Sequence, residues 1–461
     1  MPTFQSDALV FFGATGDLAY KQIFPSIQGL IRDEGLNMPI IGVAKSGWSL
    51  DQLRARAKDS LEKHGGVDQN AFKKLAELLR YVDGDYADAA TFTKLRKELG
   101  SAKQPTHYLA IPPILFGTVA KGLAQSGCGD NARVVVEKPF GHDLASAQEL
   151  NRTLHQYFPE ERIFRIDHYL GKEPVQNILY TRFANPIFEP IWNRNYVRSI
   201  QITMAEKFGV QDRGGFYDQT GALRDVVQNH MLQVLSNLAM DPPTGEDHEA
   251  VRDEKASLLK AIRPLTPESV VRGQYNDYRS VPGVAAGSTV ETFIAVKLFI
   301  DSWRWAGVPI FIRAGKELPV TATEVVVEFK RPPRETFGEL VPGTSAHMRL
   351  RLSPDISIAL GVRVKVPGER MVGSDLELLL QRQAAADEPP YERLLGDAMR
   401  GLGELFARQD LVEAQWRIVE PILGNVTPVY TYELGTWGPD EAQQLIGSDG
   451  PWINPQPPQE K

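Results

Sequence analysis

The sequence predicts two domains built on different sheets: an α/β N-terminal domain with a parallel, doubly wound sheet over residues 1–180, and an α+β C-terminal domain with a large, mainly antiparallel sheet over residues 181–461. Three observations carry this. The length of 461 residues exceeds one ordinary core, at roughly 100 to 200 residues per domain. The first part of the chain alternates short apolar runs with helical patterns, as parallel strands joined by crossover helices do. From about Val197 the pattern changes to long extended runs with period-two alternation, which reads as antiparallel sheet.

In the first domain, Leu9 to Phe12 is a buried strand followed by a helix to about Arg32. Ile40 to Ala44 is a second strand, with a helix through Leu53 to Leu61 behind it; Tyr108 to Ile111 and Val134 to Val136 are further strands. In the second domain the extended runs are Arg198 to Ala205, Thr289 to Ile300, Val308 to Arg313, Glu324 to Phe329 and His347 to Val366, interrupted by helices at Leu223 to Met240 and Tyr391 to Ala407. The acidic stretch Asp241 to Glu254 reads as a surface loop, and the polar, Pro-rich tail from Asp449 as loose.

Composition narrows the function. Hydrophobic residues make up 42% and charged residues 24%, ordinary values for a globular chain with a sizeable core. A net charge of −7 speaks against nucleic-acid binding, which needs surplus Lys and Arg against phosphates. Any phosphate must therefore be met by a local basic pocket. The single cysteine, Cys128, excludes a disulfide framework and a Cys-rich zinc or iron–sulfur site. Met1 to Ala8 lacks the pattern of a signal peptide, and no run approaches about 18 apolar residues. The expected setting is soluble, reducing and cytoplasmic, with no membrane partner.

The strand Leu9 to Phe12 runs into Gly13-Ala14-Thr15-Gly16-Asp17-Leu18-Ala19 and then a helix. In this geometry backbone N–H groups at a helix N-terminus receive a pyrophosphate. Gly13 and Gly16 let the backbone turn and approach the phosphates, and Ala19 keeps helix and strand close. A two-glycine turn also occurs without a nucleotide; its place in the first βα unit favours the nucleotide. The second strand ends in Ala44-Lys45-Ser46, where an NAD-selective domain usually carries an acid for the ribose 2′-hydroxyl. A cation and a hydroxyl suit a 2′-phosphate, and so NADP, unless Lys45 is simply an exposed loop lysine.

Three further segments carry chemistry. Val134-Val135-Val136-Glu137-Lys138-Pro139 ends a buried strand in a proline turn that can hold a cis bond, and a lysine at a parallel strand's carboxyl end faces the ligand crevice. In Arg165-Ile166-Asp167-His168-Tyr169-Leu170-Gly171-Lys172, five of eight residues can bind or orient a phosphorylated sugar. Asp225 and His230 lie near the start of a predicted helix; at about 3.6 residues per turn, five residues turn them about 140° apart, so they form no same-face pair.

These segments, in this order, resemble the glucose-6-phosphate dehydrogenase family, with Arg165 to Lys172 the most specific, and the likeness continues through Val308-Pro309 with Arg313 to Lys316 and through Tyr391-Glu392-Arg393-Leu394. The resemblance implies a Rossmann-like coenzyme domain joined to a β+α domain whose sheet forms a dimer interface, hence a homodimer or homotetramer. It implies oxidation of a sugar phosphate, glucose 6-phosphate, at C1 with hydride transfer to NADP, or to NAD, and no metal. His230 is the implied general base and Asp167 its orienting carboxylate, a pairing suited to an imidazole with an ordinary pKa near ~6.5. His168, Tyr169 and Lys172 are implied to hold the sugar's phosphate, Glu206 and Asp225 its hydroxyls, and Lys138 and Lys316 to line the same pocket. Gly13, Thr15, Gly16, Asp17, Leu18, Lys45 and Lys138 are implied to meet the cofactor.

Four positions depart from the family's pattern. Gln22 stands where a lysine is expected, Lys45 for an arginine, Thr321 for a cation and Ser353 for a glutamine. Lys45 loses the planar fork of arginine, which weakens the preference for NADP. Trp437 stands where members with a second, structural NADP site carry arginine, so no second site is expected. Two alternatives are a dehydrogenase of a related hexose phosphate and a non-catalytic sugar-phosphate-binding relative. A third, the glucose–fructose oxidoreductase family, lacks the Arg165 to Lys172 octapeptide.

Overall fold

The computed structural model describes residues 3–245, 247–334, 337, 346–368, 370–381 and 389–457. The chain divides into two compact units, neither continuous in sequence. The first comprises Met1–Lys172, Pro243–Asp253 and Asp387–Glu413, and the second Glu173–Pro242, Glu254–Ala386 and Ala414–Lys461.

The first unit holds a seven-stranded sheet of β1 (Ala8–Phe12), β2 (Ile40–Ala44), β3 (Leu79–Asp83), β4 (Pro105–Leu109), β5 (Arg133–Glu137), β6 (Ile163–Ile166) and β15 (Phe406–Ala407). The spatial order is β15-β6-β5-β4-β1-β2-β3. The first six strands are parallel, and only β15 pairs antiparallel. Strand alternation divides β1 between two cores. Leu9 and Phe11 join Phe24, Ile27 and Leu30 on one face, while Val10 and Phe12 join Phe92, Val119 and Leu123 on the other. A strand buried on both faces is why this run reads as continuously apolar. The order reverses between β1 and β4, and that reversal opens the ligand crevice of such sheets.

The second unit holds a nine-stranded sheet of β7 (Val197–Ala205), β8 (Val270–Tyr275), β9 (Phe293–Leu298), β10 (Ile310–Gly315), β11 (Ala322–Phe329), β12 (His347–Ser353), β13 (Ser357–Lys365), β14 (Gly373–Gln381) and β16 (Val429–Tyr432). Its order is β14-β13-β12-β11-β7-β10-β9-β8-β16. The pairs β7–β10 and β8–β16 are parallel and the others antiparallel, so the sheet is mixed and mainly antiparallel. The parallel pairing sets Gly315 opposite Ala205, which brings Glu206 and Lys316 out at one end.

Three expectations are corrected. The stretch Asp241 to Glu254 is not all loop, because a helix begins at His248 and runs to Ala261; the Asp247 carboxylate caps it by accepting the Ala250 N–H at 2.9 Å. The tail is anchored as far as it is described. The Trp452 indole is buried against Phe311, and Arg313, itself buried, lies between Trp437 and Trp452 and donates to Ile453 and Asn454. The predicted helix Leu223 to Met240 is two structures, a π-helix over Leu223–Met231 and an α-helix over Leu232–Ala239. No described helix is long and apolar enough to cross a membrane.

Candidate active site

The glycine turn lies at the reversal between β1 and β4. Gly13 has φ +76°, and a Cβ there would overlap the Ala110 carbonyl oxygen, so the position needs glycine on both counts. Its N–H donates to Val43 O and to Tyr86 Oη, each at 2.9 Å. Gly16 N–H closes the turn on Gly13 O. A π-helix over Ala19–Ile23 follows, and its N-cap, Leu18, makes no side-chain hydrogen bond to the helix end. Gly16 O accepts the Tyr20 N–H at 3.1 Å, so the helix begins in the glycine turn itself and its first N–H groups, which have no intrahelical acceptor, face that turn. This arrangement fits the pyrophosphate of a dinucleotide.

The rim of the turn is formed where β2 and β3 end. Thr15 and Ser46 share a hydrogen bond between hydroxyls at 2.7 Å. Lys45 reaches Asp85 at 2.6 Å, and each holds the other's charge: the pair raises the lysine pKa and lowers that of the aspartate. Asp83 accepts the N–H groups of Ser46 and Gly47 at 3.0 and 2.8 Å and the Tyr81 hydroxyl at 2.9 Å. The acid that is absent from the end of β2 is supplied instead from β3.

At the carboxyl ends of β5 and β6 the first unit assembles a second group. β5 ends at Glu137, and the Lys138–Pro139 bond that follows is cis. Asp167 follows β6 and is 3% exposed; its Oδ1 accepts the Tyr169 N–H at 3.0 Å. Leu170 N–H returns to Asp167 O, and Lys172 N–H to Tyr169 O, so Asp167 to Lys172 form one tight turn. Gly171 lets that turn close on Leu394 and Pro390 O. Lys172 Nζ lies 3.8 Å from the Tyr169 ring centroid, and the His168 ring stacks on Tyr391 at 6.4 Å and 13°. Tyr108 Oη donates to Glu137, and Tyr391 bonds the same carboxyl. Burial pushes Glu137 up to about 7.

Arg165 departs from the expected set. β6 alternation turns it inward, where it is 1% exposed and bonds Glu160 at 2.7 and 3.0 Å and Asn151 at 3.0 Å. The octapeptide thus presents Asp167, His168, Tyr169 and Lys172, while Arg165 braces the strand.

The second unit carries a further group of candidate residues. Lys316 Nζ pairs with Glu206 Oε2 at 2.6 Å, and the Tyr432 hydroxyl donates to Lys316 O at 2.7 Å. The ammonium lies 5.0 Å from the Phe208 ring and 5.3 Å from that of Tyr217. Tyr217 is buried, and desolvation, then the charges of Asp225 and Glu206, hold its pKa well above the usual value. Asp225 and His230 are both on the π-helix Leu223–Met231. At about 4.4 residues per turn, an i→i+5 helix brings residues five apart to within about 50° of each other. The π-helix therefore sets both residues toward one side, where an α-helix would turn them apart.

This π-helix is held at its start. Gly221 kinks the chain with φ +66° beside the Glu291 carboxylate. Glu291 O accepts the Ala222 N–H and Glu291 Oε1 the Leu223 N–H, at 2.9 and 3.1 Å. The carboxylate in turn meets Arg272 at 3.0 Å, with both side chains almost wholly buried. His230 is 2% exposed.

Of the departing positions, Thr321 Oγ1 accepts the Lys207 N–H at 3.0 Å, and Ser353 lies opposite Thr323 at a bulge between β11 and β12. Gln22 lies in the first π-helix, where its carbonyl accepts the Ser26 hydroxyl. Sequence reasoning missed Tyr86, Asp85, Tyr217, Glu291 and the bracing by Tyr391 and Glu137. Tyr217, Tyr391 and Glu137 had a signal, since each lies inside a segment that carries the family resemblance.

Comparison with known proteins covers nearly the whole chain. Residues 10–177 match the family model "Glucose-6-phosphate dehydrogenase, NAD binding domain", and residues 179–453 match "Glucose-6-phosphate dehydrogenase, C-terminal domain". Glucose-6-phosphate 1-dehydrogenase 1 of Mycobacterium tuberculosis is 45% identical over 98% of this chain and 97% of its own length. The crystal structure of glucose-6-phosphate 1-dehydrogenase from Mycobacterium avium superposes with a TM-score of 0.93 at 44% identity, covering 99% of this chain and 100% of that one. A glucose-6-phosphate dehydrogenase solved with its substrate glucose-6-phosphate gives a TM-score of 0.90 at 34% identity over the same shares.

Proposed function

The chain belongs to the glucose-6-phosphate dehydrogenase family, and from that premise we propose that it oxidises glucose 6-phosphate at C1 to the 6-phosphoglucono-lactone, with NADP as the preferred acceptor. The observation that carries this is the whole-length likeness, at 45% identity, to curated enzymes of that activity. A bound nicotinamide cofactor would supply the acceptor for the hydride from C1. The glycine turn from Gly13 through Thr15, Gly16, Asp17 and Leu18 would hold its pyrophosphate, and Lys45 and Lys138 would face it.

His230 takes the proton from the C1 hydroxyl, and Asp167 fixes its tautomer and stabilises the imidazolium. Burial of His230 supports that role by excluding water from the transferred proton. His168, Tyr169 and Lys172 hold the 6-phosphate, where a cation and neutral donors suit a dianion. Glu206 and Asp225 accept from sugar hydroxyls, and Lys316, paired with Glu206, fixes that carboxylate. The exposed leucines 376, 378, 379 and 380 on the edge strand β14 support assembly through the second sheet, as a dimer or tetramer. The protein works as a cytoplasmic enzyme.

Absorbance of the reduced nicotinamide tests the reading, with glucose 6-phosphate and a panel of other hexose phosphates against NADP and NAD. Turnover with glucose 6-phosphate is expected, and His230→Asn lowers kcat by several orders of magnitude while KM for the sugar stays near its original value. Silence with every sugar, or a mild loss in the variant, contradicts it.

A further inference from the structure

In dinucleotide-binding domains the corner after the second strand chooses between a ribose 2′-hydroxyl, accepted by a carboxylate, and a 2′-phosphate, met by a cation. Here both kinds of group stand in that corner. Lys45 Nζ lies 2.6 Å from Asp85 Oδ2. The loop amides of Ser46 and Gly47, the other donors suited to a phosphate, already serve Asp83. Lys94 donates to the Asp83 backbone carbonyl at 3.4 Å, so the corner holds two ammonium groups and two carboxylates, of which Lys45 and Asp85 pair directly, and it lacks the surplus positive charge that a dianion calls for. The Asp85 carboxylate is held in place twice, by Lys45 and by the Ala87 N–H at 2.9 Å.

Resting on the reading of the glycine turn as a nicotinamide-cofactor site, we infer that Asp85 is the residue that sets cofactor choice: its carboxylate competes with a ribose 2′-phosphate for Lys45 and offers an acceptor to a ribose 2′-hydroxyl. NAD is thereby admitted beside NADP, and the preference for NADP is held below what Lys45 alone would confer.

Calorimetric titration of the full chain with adenosine 2′,5′-bisphosphate and with 5′-AMP isolates the 2′-phosphate from turnover; NADP and NAD are titrated in parallel. Asp85→Asn keeps an oxygen for the Ala87 N–H, and Asp85→Ser serves if the asparagine variant melts early. Either substitution should raise the affinity ratio of bisphosphate to AMP about tenfold, by removing one like charge near the surface. Adding Lys45→Ala should cancel the gain. An unchanged ratio overturns the inference, and so does a fall, which would mean that Asp85 positions Lys45 for the phosphate. If the unaltered protein binds neither NADP nor NAD, the cofactor reading itself fails and the inference falls with it; a protein that binds both but whose ratio ignores Asp85 fails the inference alone.

Discussion

Glu291→Ala tests whether the helix that carries the proposed base, His230, is held from its start. The alanine leaves the buried Leu223 N–H without its acceptor, a cost of about 1 to 3 kcal/mol. It also removes one partner of a buried ion pair, which typically costs about 3 to 5 kcal/mol. Arg272 keeps the carbonyls of Thr427 and Thr289 at 3.1 and 2.7 Å, so the lower end of each range applies, and the sum is roughly 4 kcal/mol. At about 2 to 4 °C per kcal/mol for a unit of this size, the melting temperature should fall by on the order of 10 °C. Because Asp225 and His230 share the helix that begins at Leu223, a displacement of about 1 Å lowers kcat about 100-fold. Glu291→Gln, which retains an acceptor oxygen, should recover most of both. Differential scanning calorimetry and steady-state kinetics read the two effects. If Glu291→Ala melts within about 2 °C of the parent and keeps its kcat, the helix is held by something else and the reasoning fails.

Three further outcomes are expected. Gly13→Ala should abolish NADP and NAD binding by equilibrium titration while leaving the fold intact by circular dichroism, since its Cβ enters the Ala110 carbonyl and its φ is positive; measurable binding would refute the cradle. Glu137, pushed up to about 7 from 4.5 by burial, keeps its proton in the folded state across a window where the unfolded chain has lost it. Its contribution to stability is therefore complete below about pH 4.5 and fades as pH rises through 7, by roughly 3 kcal/mol in all. Glu137→Gln should flatten the melting temperature between pH 5 and 8, and an equally sloped profile would reject the assignment. Leu378→Asp with Leu380→Asp should reduce the mass measured by light scattering to that of a single chain if β14 carries the assembly, whereas an unchanged mass would place the interface elsewhere.

What the sequence shows and hides follows from range. β1 and its turn were legible because a run buried on both faces followed by glycines is a local pattern. β3 was not, since Leu79-Arg80-Tyr81-Val82-Asp83 is half polar and buries only two of its five residues. The carboxylates of the proposed cofactor corner came with that unread strand. Tyr391 reaches Glu137 and His168 because the chain returns to the first unit after residue 387, a distance in sequence that no periodicity reports. The error about Asp225 and His230 is of another kind: the spacing was read correctly and the helix pitch was assumed. A π-helix is rarely favoured by local propensity, and here it begins where Glu291 and Arg272, remote in sequence, meet the kink at Gly221.

The departures from the family pattern can now be weighed by what the substituted side chains do. Thr321 does not replace a cation in function, because its hydroxyl fixes the Lys207 amide beside Glu206 and so braces the residue that meets Lys316. Gln22 lies on a π-helix whose backbone carbonyl, not its amide, makes the bond to Ser26. Neither change lies in the Asp167 to Lys172 turn, whose proposed phosphate ligands keep Lys172 over Tyr169 and His168 on Tyr391. On the proposed reading, a site that had drifted to a different anionic group would alter those residues first. The lost cations therefore bear on how tightly the ring is gripped, and their cost should appear in KM for the sugar before it appears in the choice of a phosphorylated substrate.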